Sequence, residues 1–114
     1  MDISNNNGDY INLDDALTRI GGNMGLYKRL LGRFVEGNHF DLLNNAILSG
    51  DIEEASRQAH SLKGVSANLS LVKVQHAALE LEQKIKENLD YSGSLDELKQ
   101  VFDITLEKIA ELLA

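Results

Sequence analysis

Ala55-Ser56-Arg57-Gln58-Ala59-His60-Ser61-Leu62-Lys63-Gly64-Val65-Ser66-Ala67-Asn68-Leu69-Ser70-Leu71 is the stretch whose reading decides the fold. At 100° per residue Leu62, Val65 and Leu69 gather on one side with Ala55 and Ala59 nearby, the stripe of an amphipathic helix facing a core. His60 projects from roughly the opposite side, on a face shared with the small residues Ser56, Gly64 and Ala67. Arg57 and Lys63 flank it about one turn away. The imidazole is expected to be displayed, not packed.

The same period extends in both directions. Upstream, the spacing predicts a short helix with Leu13, Ala16, Leu17 and Ile20 on one face, Asn12 as its N-cap and Gly21-Gly22 as its stop. A second helix is expected from about Asn23 to Glu36, with Leu26, Tyr27, Leu30, Leu31, Phe34 and Val35 returning every turn and Gly37 ending it. A third runs from about His39 to Ser49 and buries Phe40, Leu43 and Ile47; Gly50 stops it, and Asp51 with Glu54 resembles a capping box for the helix of His60. Downstream, Val74, Ala78, Leu81 and Ile85 form the next stripe, which ends in the turn-rich Asp90-Tyr91-Ser92-Gly93. Ser94 and Glu97 then suggest a second capping box, opening a helix with a Leu95, Leu98, Phe102, Thr105, Ile109 and Leu112 seam. Proline is absent, and no alternating polar and apolar run is long enough for a sheet. The expected fold is all-α: an antiparallel up-and-down four-helix bundle with additional short N-terminal helices.

With 114 residues the chain holds one ordinary domain, because two separate cores would each be small enough to need disulfides or metals. Residues 1–9 have little to bury and are expected to be a flexible N-terminal segment or linker, which leaves residues 10–114 as the domain. There is no cysteine, so disulfides, thiolate metal sites and cysteine nucleophiles are excluded. The formal net charge of -7, with no basic run, argues against nucleic acid as a partner. No apolar stretch approaches the ~20 residues that span a bilayer, and the acidic, Asn-rich start does not read as a signal peptide, so a cytoplasmic protein without a membrane partner is expected.

A lone histidine is usually a solvated or packed side chain, but three features set His60 apart. Gly64 sits in mid-helix, where glycine costs about 1 kcal/mol relative to alanine, with no cap to form; another surface is expected to approach closely there. Arg57 and Lys63 put positive charge beside the ring, which favours a neutral, nucleophilic imidazole. No acid occurs from Ala55 through Leu79, so an anion is the expected visitor. His39, at a helix start, and His76, on a helix already supplied with an apolar stripe, read as solvated. The spacing of the three histidines gives no helical metal pair.

The run Ala59-His60-Ser61-Leu62-Lys63-Gly64-Val65-Ser66-Ala67-Asn68-Leu69 resembles the signature of histidine-containing phosphotransfer domains. Val74, Ala77, Ala78, Leu81 and Glu82 downstream and Gly50-Asp51 upstream are similar to that family too, so the resemblance covers roughly residues 10–113. It implies that His60 receives a phosphoryl group, that Lys63 helps hold its oxygens, and that Glu82 steadies the histidine ring. It further implies that a response-regulator receiver domain docks over Arg57, Gly64 and Ala67. The chain resembles no nucleotide-binding loop, so it is expected to have no cofactor of its own, with magnesium supplied by the receiver and a hybrid sensor histidine kinase as a further partner. The implied role is a phosphoryl relay without independent catalytic machinery. Two other readings stand beside it: a chemotaxis-kinase-type domain charged by an ATP-binding kinase domain, and a noncatalytic helical adaptor. One position departs from the family pattern, which commonly has glycine where this chain has Ser70; a left-handed turn would cost serine about 1 kcal/mol, and otherwise the turn differs.

Overall fold

The structure, a computed structural model, describes residues 10–114; residues 1–9, expected above to be a flexible segment, lie outside the described residues. The order of elements is α1 (Leu13–Arg19), α2 (Met24–Glu36), α3 (His39–Leu48), α4 (Ile52–Asn68), α5 (Val72–Lys86) and α6 (Ser92–Leu113). The described residues contain no strand. No helix among them is long and apolar enough to cross a membrane.

Local chemistry explains most of the boundaries. Asn12, Asn23 and Asp51 each accept a hydrogen bond from the amide three residues on, at 3.1, 2.9 and 3.1 Å, and so satisfy one orphan donor at the starts of α1, α2 and α4. The Asp51 box is only half formed, because the Glu54 carboxylate turns instead to Arg57 and Gln58. Gly21, Gly22 and Gly50 take the left-handed conformation after α1 and α3, as the sequence suggests.

Gly37 ends α2 as its C-cap with a right-handed φ of -76°, and Asn38, at φ 54°, takes the left-handed conformation before α3. Two expectations are corrected. Helix α6 begins two residues before the expected cap: the Asp90 carboxylate accepts from the Ser92 amide and hydroxyl, while Ser94 lies inside the helix, buried, donating to Glu80 at 2.9 Å. Finally, Val35 drops out of the α2 stripe and is exposed, the buried set being Tyr27, Leu31 and Phe34. Three successive turns already bring that face to the core, and the stripe is narrower than the apolar content allows.

Helix α4 lies at the centre of the packing, against α3 on one side and α5 on the other, and α5 packs in turn on α6. Ala55, Ala59, Leu62, Val74, Ala78, Leu81, Leu98 and Ile109 are fully buried. The alanines let α4 approach its neighbours closely, and truncating a residue such as Leu62 to alanine would cost about 2 to 5 kcal/mol. A cluster of Phe34, Phe40 and Phe102, with ring centroids 5.7 and 5.9 Å apart, closes the core between α2, α3 and α6. His39 is part of that packing and is not solvated: its ring stacks on Phe34 at 5.0 Å, and burial pushes its basicity down. His76 is exposed.

The chain reverses between α4 and α5 through Leu69, Ser70 and Leu71. Ser70 adopts the left-handed conformation, φ 57°, that glycine adopts without cost. Its hydroxyl donates to Asp15 Oδ2 at 2.6 Å, and its carbonyl accepts from the Asn12 amide at 2.9 Å. The neighbouring Leu69 carbonyl accepts from the buried Tyr27 hydroxyl at 2.7 Å. Burial raises that phenol to about 12, which keeps it a donor.

Candidate functional site

Because α4 buries Ala55, Ala59, Leu62 and Ser66, His60 is turned outward, its side chain 67% exposed. The three-residue reversal lays α5 antiparallel against α4, in a register that puts Glu82 opposite His60 and Lys63. Glu82 Oε2 lies 3.0 Å from His60 Nδ1. Its other oxygen lies 3.0 Å from the Lys63 ammonium, and Lys86, one turn further along α5, brings a second ammonium to within 3.0 Å of Oε2.

Glu82 is 2% exposed, which makes a carboxylate costly there unless it is paired. Burial by itself would raise its pKa; the hydrogen bonds and charges of Lys86, Lys63 and His60 outweigh burial and bring it down to about 2. An ionised carboxylate only accepts, so the imidazole must place its proton on Nδ1. In the neutral ring Nε2 then carries the lone pair, on a side chain that is largely exposed. Two ammonium groups against one carboxylate leave a local charge of +1 around Glu82, next to the ring.

His60 opens onto a cavity of about 560 Å³ lined also by Ser56, Arg57, Ser61, Glu82 and Lys86. The expected site residues divide accordingly. His60, Lys63 and Glu82 meet directly. Arg57 lines the cavity, but its guanidinium is bound to Glu54 at 2.6 and 2.9 Å, and Lys63 is committed to Glu82; the two cations are compensated, not bare. Gly64 is exposed with open space where a Cβ would stand. Ala67 is half-buried, seven residues and so about two turns (~10 Å) from His60. The acid-free run of sequence is not an acid-free surface, because Glu54 and Glu82, just outside it on either side, both fold onto the site.

Lys86 is the residue the sequence reading missed. Its signal was present, since Glu82 and Lys86 stand at the i,i+4 spacing that pairs along a helix. That spacing gives no sign that the pair faces His60. Among the described residues, no group of three or more histidine or acidic side chains is placed to hold a metal ion.

A family model described as Hpt domain matches residues 30–113, from within α2 to the end of α6. That is most of the chain, and the protein belongs to the Hpt domain family. No curated protein and no solved structure gives a significant match.

Proposed function

We propose that the chain is a phosphorelay module in which His60 accepts a phosphoryl group from, and returns it to, the aspartate of a response-regulator receiver domain. The single observation that carries this reading is the Glu82 contact to Nδ1, which favours a free Nε2 on a largely exposed ring, with Lys63 and Lys86 on the same carboxylate. In the forward step the Nε2 lone pair forms the N–P bond while the bond from phosphorus to the aspartyl oxygen breaks, and the leaving carboxylate stays with the receiver. The Nδ1 proton remains in its bond to Glu82, whose charge balances the positive charge that develops on the ring. Lys63 and Lys86 can then turn from Glu82 to the phosphoryl oxygens. An acyl phosphate is an activated donor and the ring nitrogen is regenerated unchanged, so the step runs in both directions. Magnesium belongs to the receiver's acidic site. The reading carries with it a cytoplasmic location and a hybrid sensor kinase as the natural upstream partner. The pairings of α3 with α4, α4 with α5 and α5 with α6 support the up-and-down four-helix arrangement, with α1 and α2 as additional helices.

The test is to incubate the purified chain with receiver domains phosphorylated by acetyl phosphate and, separately, with ATP and histidine-kinase catalytic domains. Acid-labile, alkali-stable label acquired from receivers and absent in His60→Gln supports the relay. Label acquired only from a kinase domain makes the protein a chemotaxis-kinase-type substrate, and no label from either source makes it a noncatalytic adaptor.

A further inference from the structure

Beyond Gly64 along α4 from His60, the surface opens into a groove of about 490 Å³ whose lining includes Arg19, Ile20, Leu30, Arg33, Val65 and Asn68. Two of these residues come from the end of α1, which lies outside the stretch matched by the family model. Helix α1 has seven residues, too few to be stable alone, and Ala16 is its one buried residue. Leu13, Leu17 and Ile20 pack it against the core, and its polar tie is to the turn after the histidine helix. There Asn12 donates to the Ser70 carbonyl, and the Ser70 hydroxyl donates at 2.6 Å to Asp15, which also accepts from Arg19 at 3.0 Å. Ser70 is 4% exposed and keeps a left-handed backbone that glycine would adopt more readily, but glycine has no hydroxyl to give Asp15.

We infer that Ser70 is a positioning residue for partner binding: its hydroxyl latches α1 to the end of α4, so that Ile20 and Arg19 form a fixed wall of the groove against which a docked receiver domain packs. The partner half of this inference rests on the phosphorelay reading. Its geometric basis is size. A standard interface buries roughly 800 Å² on each partner, a patch about 30 Å across, whereas His60 to Asn68 spans only about 12 Å of helix. A receiver footprint centred on Nε2 and running over Gly64 and Ala67 therefore reaches Asn68, the rim of the groove on that side. Loosening α1 makes its ordering part of the work of binding, and this weakens association without touching the reacting atoms.

The experiment uses the full chain, with Ser70→Ala, Ser70→Gly, Asp15→Ala and the Ser70→Ala/Asp15→Ala pair. Amide exchange of Ala16 to Arg19 should accelerate about three- to tenfold in every variant, the range of one hydrogen bond, with the double variant no faster than the singles. With the receiver that transfers fastest to the wild type as probe, KM should rise by a similar factor while kcat is kept. Ser70→Gly separates hydroxyl from backbone, because it relieves the left-handed conformation and still removes the donor. Wild-type exchange in Ser70→Gly, or additive effects of Ser70→Ala and Asp15→Ala, would overturn the latch. Accelerated exchange with an unchanged KM would overturn its part in docking. If no receiver transfers to the wild type, the phosphorelay reading and the docking role fall together, and the exchange arm decides the latch on its own.

Discussion

At Glu82 one buried carboxylate meets an imidazole and two ammonium groups, and its protonation decides whether they stay together. Its pKa falls from 4.5 to about 2 on folding, so the unfolded chain binds the proton more readily. The resulting stability is complete above about pH 4.5 and drains away as pH falls toward 2. Glu82→Gln should be destabilised at neutral pH, where it leaves both lysines without their partner, and the gap to wild type should narrow as pH drops through that window; urea unfolding at a series of pH values reads this directly. A gap independent of pH would mean the carboxylate acts by shape and not by charge. His60→Gln should fold normally by circular dichroism and take no phosphoryl group, since its side chain faces solvent. Lys63→Ala and Lys86→Ala should each slow transfer or shorten the phosphohistidine lifetime by roughly ten- to a hundredfold, because a charge-assisted contact is worth about 1.5 to 3 kcal/mol. An unchanged lifetime in either variant would remove that lysine from the phosphoryl site.

Helix α4 carries His60 on a face shared with small residues, and Gly64 is where helix stability and access oppose each other. Nothing stands within 4 Å of the place its Cβ would occupy. Gly64→Ala should therefore stabilise the protein by about 0.5 to 1 kcal/mol, since alanine suits a helix interior and restricts the unfolded backbone. Gly64→Gln should also fold, but its side chain would stand one turn from His60, in the volume a receiver must enter to bring phosphorus within about 3 to 3.5 Å of Nε2. Transfer should drop sharply while helicity is retained. Wild-type transfer by a folded Gly64→Gln would show that partners do not approach over this glycine.

Across the whole molecule, Tyr27 joins two parts of the chain 42 residues apart by donating to the Leu69 carbonyl at the end of α4. Tyr27→Phe keeps the buried ring and leaves that carbonyl without its donor, at a cost of about 1 to 3 kcal/mol. If the helices unfold as one unit, the urea midpoint should fall with an unchanged slope. A changed slope would show that the α4–α5 reversal opens separately from the rest. The Glu82 contacts to Lys63 and His60 lie six and nine residues back along α4 from Leu69, so kcat for phosphoryl transfer at low urea should be kept.

The 3.6-residue period is a local property, and it is why the all-helical class could be read along the chain, and most of the buried face of α4 and the outward direction of His60 from residues 55–71 alone. Caps at Asn12 and Asp51 were equally legible, because donor and acceptor lie three residues apart. What a period cannot fix is how far one helix is rotated and slid against the next. Register between α4 and α5 is set by the reversal at Ser70 and by the packing of the two helices on each other, and only that register turns Glu82 and Lys86 toward His60. From the residues alone Glu82 was one more acid on a helix, and family resemblance, not spacing, singled it out. The same limit hid the stacking of His39 on Phe34, the burial of Ser94 against Glu80 and the bond from Ser70 to Asp15. The Ser70–Asp15 bond closes across 55 residues of sequence, and its two groups become neighbours only when the tertiary fold brings α1 to the end of α4.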